Sequence, residues 1–495
     1  MSAYTLLCQR ERERATLGSA ASLLGWDERT YLPAKGQAFR GDQLALLARL
    51  CHEQLIATQT AELLQQAEGE TLSDDQRANV RGIRRLYDRA VKLPTSLVEA
   101  LARATSAGQN AWESAKHQND FASFAPFLET ILKLKREEAQ AVGYADHPYD
   151  ALLDEFEPGA KTRDLTTLFA RLQSELVPLI TQIQESGIRA PREILARSYP
   201  VEQQRKLSEW IDEQVGFDRS AGRLDITVHP FCSGIGPGDC RITTRFSEHA
   251  FAEAFFGTLH EVGHGIYEQN LPADHFGTPL GTACSLGIHE SQSRWWENFV
   301  GRSKPFWQAN WKTVQSHFPN TLQDVTQQQF YAAINDVRPS FIRIEADEAT
   351  YNLHIILRFE LEQALLTGDL QVADLPAAWN ERFTRMFNLK VPNDSTGCLQ
   401  DVHWSAGLVG YFPTYTLGNL YAAQFMEQAR IAMPTLDQLL SQGQYQPVKQ
   451  WLVDNIHRHG QRFSASELCQ RITGRSLSHE PLMRYLKTKF SELYR

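Results

Sequence analysis

His260-Glu261-Val262-Gly263-His264 sets two imidazoles four residues apart, with a carboxylate directly after the first. On an α-helix that spacing is one turn, so both rings fall on one side at a separation a single tetrahedral Zn²⁺ can bridge. Glu261 lies beside them, where its carboxylate reaches a metal-bound water rather than the metal, the position of a general base. A catalytic zinc needs a third protein ligand. Glu268, Asp274 and Glu290 follow at workable distance, and spacing alone does not separate them. Glu290 is favoured because Ser285–Trp296 reads as a second helix, and a ligand there clamps the ion between two rigid elements. Glu268, one turn past His264, reads as a solvated charge, and His289 as a residue behind the ligands or facing the substrate.

The elements that must hold these groups are mostly helical. Phe251, Phe255, Leu259, Val262 and Ile266 form one stripe opposite the histidines, with Ser247 as N-cap and Glu248 in the first turn. Gly263 and Gly265 are poor helix formers, by up to about 1 kcal/mol each, so close packing or access to the site is expected there. Ahead of this helix, Leu224–His229 and Arg241–Phe246 read as the two strands of a hairpin around the glycine-rich loop Ser233–Asp239. From Leu6 to about Gln140 the pattern is helical, with Leu44, Leu47, Leu50, Leu55, Leu63 and Leu64 at spacings suited to one apolar face. Helices return after the motif, including Trp451–His457 and Leu482–Phe490. Turn chemistry breaks the pattern at Leu32–Gly36, Lys92–Pro94 and Glu157–Gly159, but none of these is a linker. The expected architecture is mainly α: a large multi-helix body with a small β-hairpin beside the zinc helix, 1–495 forming one catalytic domain.

Bulk properties exclude several classes. A charge of −9, from 50 basic against 59 acidic residues, argues against a nucleic-acid binder. No charge-free apolar run approaches the length of about 20 residues that a membrane span needs, and the charged N-terminal stretch does not read as an export signal. Seven scattered cysteines without a Cys-x-x-Cys pair favour reduced thiols and a cytoplasmic location.

An ordered set of motifs resembles the carboxypeptidase Taq family of zinc metallocarboxypeptidases: His229-Pro-Phe231, Asp239-Cys-Arg241-Ile-Thr243, His260–His264, His289-Glu-Ser-Gln292, Ile342-Arg343-Ile-Glu-Ala-Asp347 and Gly397-Cys-Leu-Gln-Asp-Val-His403-Trp404. Trp26-Asp27, Tyr149–Asp154 and Gly410–Asn419 look like the family too. The resemblance implies His260, His264 and Glu290 as ligands of one zinc per chain, with Co²⁺ able to substitute, and Glu261 as the catalytic carboxylate. It further implies release of single residues from peptide C-termini, a deep groove of the neurolysin type and a homodimer; the N-terminal helices, about 1–140, would form a wall or lid. Cys232, Cys240, Cys284 and Cys398 stand where small aliphatic residues are expected, and read as small core hydrophobes.

An oxyanion forming at the scissile carbonyl needs a hydrogen-bond donor, for which His403, Tyr411 and Tyr415 are the candidates. A free C-terminal carboxylate is best bound by the planar fork of arginine, which singles out Arg343 and, less strongly, Arg241. His229 is a candidate groove residue, and an edge strand pairing with the peptide backbone would give broad specificity. The rival readings are an oligoendopeptidase or a dipeptide-releasing carboxypeptidase on the same body, and more remotely a non-catalytic peptide-binding protein.

Overall fold

In the computed structural model, which describes residues 1–495, the chain falls into two compact units. Met1–Ala90, Ala190–Asn335 and Tyr421–Leu477 make the first; Val91–Arg189, Asp336–Leu420 and Ser478–Arg495 make the second.

The first unit begins with α1 (Ala3–Thr30), α2 (Gln37–Ile56), α3 (Thr58–Glu68) and α4 (Asp74–Lys92). Ser2 caps α1 by accepting the Thr5 N–H, and Leu7, Leu63, Leu64, Val80 and Ile83 close a core among α1, α3 and α4. The leucine pattern of α2 behaves differently from expectation. Leu44, Leu47 and Leu55 are only half-buried and Leu50 is 36% exposed, so the spacing yields a helix but not a buried face.

The expected hairpin is also corrected. After α5 (Thr95–Gln118), α6 (Phe121–Val142), α7 (Pro148–Phe156) and α8 (Thr162–Glu185) of the second unit, the chain returns through α9 (Val201–Val215) to a three-stranded sheet of order β1-β3-β2. The two strands read from the sequence are β1 (Gly222–Ile226) and β3 (Asp239–Thr244), and they pair in parallel. The true hairpin partner of β3 is β2 (Cys232–Gly236), inside the stretch read as a loop. Its Cys-Ser-Gly-Ile-Gly sequence has little side-chain alternation to announce a strand, and only Ile235 is buried.

Next come α10 (Phe251–Gln269) and α11 (Leu286–Arg294). The stripe Phe251, Phe255, Leu259, Val262 and Ile266 is buried as its periodicity requires. Ser247, however, does not cap α10. Gln204 Nε2 donates to the Ser247 carbonyl at 2.8 Å and the Tyr199 N–H to that of Glu248 at 2.8 Å, holding these residues in a turn, and the helix starts after Ala250. Ser285 does cap α11, accepting the Ile288 N–H at 3.1 Å, and a π-helical turn, Trp295–Val300, continues from it. The unit is completed by α12 (Lys304–His317), α13 (Pro319–Leu322) and α14 (Gln327–Ile334), and later by α18 (Leu436–Ser441), α19 (Gln446–Asn455) and α20 (Ala465–Thr473).

In the second unit, α15 (Tyr351–Thr367) is followed by α16 (Leu375–Phe387), the first turns of α17 (Pro413–Ala432), whose residues from Tyr421 on belong to the first unit, and the terminal α21 (Glu480–Leu493). α15 is buried on all sides over Tyr351–Phe359, which takes Asn352, His354 and Arg358 into the interior with its apolar residues. Polar groups so enclosed require partners. No helix is long and apolar enough to cross a membrane.

Candidate active site

Residues of α10 and α11 converge in the first unit. The rings of His260 and His264 lie 4.9 Å apart, and their Nε2 atoms face Glu290 Oε2 at 3.6 Å and 3.5 Å. The three ligand atoms all lie within 4.8 Å of one another. Two imidazole nitrogens and one carboxylate oxygen converging on a point fit a divalent ion, with room for a water or a substrate atom as a further ligand. The electrostatics agree. Burial pushes His264 down to about 3, so its nitrogen stays free of a competing proton. Burial would raise Glu290, but Arg294 and the two histidines outweigh it and hold the carboxyl well below the usual range. Burial lowers His260, yet Glu290 and Glu297 raise it overall. Burial lifts Glu261 up to about 7, the range a general base needs near neutral pH.

Behind these three residues stand Glu297 and Arg294, which the sequence reading did not assign, and His289 and Glu268, which it did. His260 Nδ1 meets Glu297 Oε2 at 2.9 Å, and Arg294 binds Glu290 Oε1 at 2.7 Å and Glu297 Oε2 at 3.0 Å. Arg294 follows Glu290 by four residues and precedes Glu297 by three, a helical pairing visible in the sequence; that Glu297 turns toward His260 depends on the π-helical turn. His264 Nδ1 lies 2.6 Å from His289 Nδ1, and His289 Nε2 lies 2.8 Å from Glu268 Oε1. Glu268, read as a solvated charge, is therefore engaged behind a ligand.

Arg241 directs Nε and Nη2 onto Asp239, each at 2.9 Å, and stacks over Trp26 at 4.3 Å, so the Nε–Nη2 edge of its guanidinium is taken by that carboxylate. His229 is exposed between β1 and β2, and no hydrogen bond or ring contact ties it to His260 or His264. Cys232 and Cys240 place their sulfurs 3.7 Å apart, and none of the seven cysteines is in a disulfide.

The second unit gathers a separate cluster. Arg343 donates from Nε to Asp401 Oδ1 at 2.9 Å and from Nη1 to Tyr351 OH at 2.9 Å, while its Nη2 carries no intramolecular hydrogen bond. Asp401 also accepts from Arg358 Nε at 2.7 Å. Its carboxyl, raised by burial, is held far below the carboxylate range by the two arginines. His403 Nε2 lies 3.2 Å from Tyr415 OH, its ring is 5.5 Å from that of Tyr411, and the Arg343 guanidinium sits 5.0 Å from the Tyr415 ring centre. Burial and Arg343 push His403 down to about 3, which leaves it neutral. The sequence-predicted Arg343, His403, Tyr411 and Tyr415 thus meet. Glu362, missed by sequence reading, accepts from Trp404 Nε1 at 2.9 Å and from the Gly410 N–H at 3.2 Å, bracketing the segment that carries His403.

Comparison with known proteins finds relatives along nearly the whole chain. The chain is 45% identical to thermostable carboxypeptidase 1 of Thermus thermophilus, covering 100% of this chain and 99% of that protein. It is 39% identical to carboxypeptidase 1 of Bacillus subtilis, over 96% and 95% of the two chains. The crystal structure of the M32 carboxypeptidase from Deinococcus radiodurans R1 superposes with a TM-score of 0.97 at 38% identity, covering 99% of each chain. The family model described as carboxypeptidase Taq (M32) metallopeptidase matches residues 7–490, and on that match the chain belongs to that family.

Proposed function

We propose that the enzyme is a zinc-dependent carboxypeptidase releasing single C-terminal residues from peptides with broad specificity. The observation that carries this reading is the convergence of His260, His264 and Glu290 with Glu261 adjacent on the same helix. Those three residues would hold the ion, which when bound acidifies water toward a pKa of about 7 and polarises a carbonyl. Glu261, buried and raised to about 7, accepts a proton from the attacking water and returns it to the leaving amine. Tyr415 or Tyr411, with neutral His403 beside them, is the donor assigned to the developing oxyanion. Arg343 is the assigned anchor of the substrate carboxylate: Asp401 and Tyr351 fix its plane while Nη2 stays available. Arg241, whose Nε–Nη2 edge Asp239 takes, supports that role less, and His229 is left as a peptide-contacting candidate. His289 is read as support for a ligand rather than as a substrate contact.

Each unit is built from three separated segments, which supports treating 1–495 as one catalytic domain. We assign a cytoplasmic location on seven cysteines of which none forms a disulfide, and a homodimer on the family resemblance. An exposed apolar row on α2, Phe39, Leu46 and Leu50, is a surface a second copy would cover.

The deciding experiment is a mass-spectrometric time course on one N-terminally blocked peptide as free acid and as amide, with a chelator control. Stepwise loss of single residues from the acid alone, abolished by chelation, is the expected result. Internal or two-residue cuts would instead assign an endopeptidase or a dipeptide-releasing enzyme.

A further inference from the structure

We infer that Glu268 is a positioning residue that sets, through His289, which nitrogen of His264 is offered to the metal; this rests on the reading of His260, His264 and Glu290 as the metal centre. His264 turns Nε2 toward Glu290 Oε2, at 3.5 Å. To present a lone pair there, the neutral ring must carry its proton on Nδ1. That Nδ1 lies 2.6 Å from His289 Nδ1, so one of the two nitrogens donates and the other accepts. With the proton on His264, His289 Nδ1 is bare and its own proton sits on Nε2, where Glu268 Oε1 accepts it at 2.8 Å. An ionised carboxylate can only accept, so Glu268 selects one order of protons along the whole chain. A donor at the same place would select the reverse order and put a hydrogen on the ligating nitrogen.

The two ligands of α10 are therefore oriented differently. His260 has its carboxylate, Glu297, directly on Nδ1 at 2.9 Å, whereas His264 reaches Glu268 through a second imidazole. Two neighbours hold the longer chain in place. The Tyr267 ring lies 5.2 Å from that of His289, with its hydroxyl fixed by the Cys284 N–H at 3.1 Å. On the far side, Gly234 of β2 leaves room for the carboxylate: a Cβ there would stand 2.4 Å from Glu268 Oε2. This accounts for a glycine in a strand that gains nothing from one.

The test measures the Zn²⁺ dissociation constant by competition with a chelator of known affinity, alongside the thermal midpoint of each metal-free variant. E268A and G234A are expected to weaken Zn²⁺ binding about 10- to 100-fold, the range typical for removal of a group orienting a ligand. E268Q, whose amide oxygen still accepts, is expected to remain within about threefold of the parent. Activity lost in E268A is expected to return at high free Zn²⁺, which a general packing defect would not allow. Parental affinity in E268A, or equal losses in E268A and E268Q, would overturn the inference. Failure of the metal reading is distinct: H264A and E290A would then bind Zn²⁺ as the parent does.

Discussion

Gly263 lies against the backbone of Gln292: a methyl group built on it would stand 2.4 Å from the Gln292 carbonyl oxygen and 2.6 Å from Ser293 Cα. The glycine sits between the two histidines of α10, and the residues it meets follow Glu290 on α11, so this approach brings Glu290 to His260 and His264. Helix propensity alone would make G263A stabilising by about 1 kcal/mol. The contact reverses that sign. G263A is expected to destabilise by about 1–3 kcal/mol, as overpacking does, and to weaken Zn²⁺ binding, both read from thermal melts with and without the ion. A higher melting point with unchanged affinity would dismiss the contact as the reason for the glycine.

E261Q separates binding from chemistry. The amide keeps the shape of the carboxylate but cannot take a proton, so kcat is expected to fall about 10²- to 10⁴-fold while Zn²⁺ content stays at one per chain. Elemental analysis beside steady-state kinetics checks both. Loss of metal together with activity would make Glu261 a ligand-supporting group instead of the base.

Removing the ion should be reversible. Chelation is expected to abolish activity, and Zn²⁺ or Co²⁺ added back to restore it, whereas H260A and E290A stay inactive at any moderate Zn²⁺ concentration. Persistent hydrolysis in chelated enzyme would sink the metallopeptidase mechanism.

Recognition of the carboxylate should follow Arg343. R343K keeps the charge but loses the planar fork, so kcat/KM on free-acid peptides is expected to drop about 10- to 100-fold, equivalent to about 1.5–3 kcal/mol, with the larger share in KM. Slow cleavage of the amide twin should be unchanged. If acid and amide suffer alike, Arg343 supports the fold and does not read the substrate terminus.

Stability of the metal-free protein should fall in mild acid. Burial pushes His457 down to about 3, and Lys449 acts in the same direction; its Nε2 faces Gln292 Oε1 at 2.8 Å. His354 and His403 are displaced downward too. A histidine whose folded pKa lies below its unfolded value binds fewer protons when folded. Its contribution is therefore intact above about 6.5 and lost as pH drops toward the folded value. At pH 5 the loss is about 2 kcal/mol each for His457 and His403. Urea midpoints at pH 7.5 and pH 5 should converge in H457Q relative to the parent; an identical pH slope in both would refute the assignment.

His260, Glu261 and His264 were legible because their relation is local: one helix turn fixes it whatever the rest of the chain does. The helix stripe from Phe251 to Ile266 and the second helix beginning at Ser285 were readable for the same reason. Glu290 needed a tertiary argument, since Glu268 and Asp274 fit the spacing as well, and it is the approach of Gly263 to Gln292 that brings the Glu290 carboxylate beside the two histidines. β2 escaped notice because Ser-Gly-Ile-Gly has almost no side-chain alternation; only its hydrogen bonds to β3 make it a strand, and that turned the expected hairpin into a mixed sheet. Competition for backbone groups moved the start of α10, Tyr199 and Gln204 claiming the carbonyls of Glu248 and Ser247 before a cap could form. Glu268 and Glu297 look in sequence like any surface carboxylates. Their tie to the ligands comes from the folded positions of His289 and the π-helical turn, because a hydrogen bond between side chains 21 or 37 residues apart is set by packing and leaves no periodic trace.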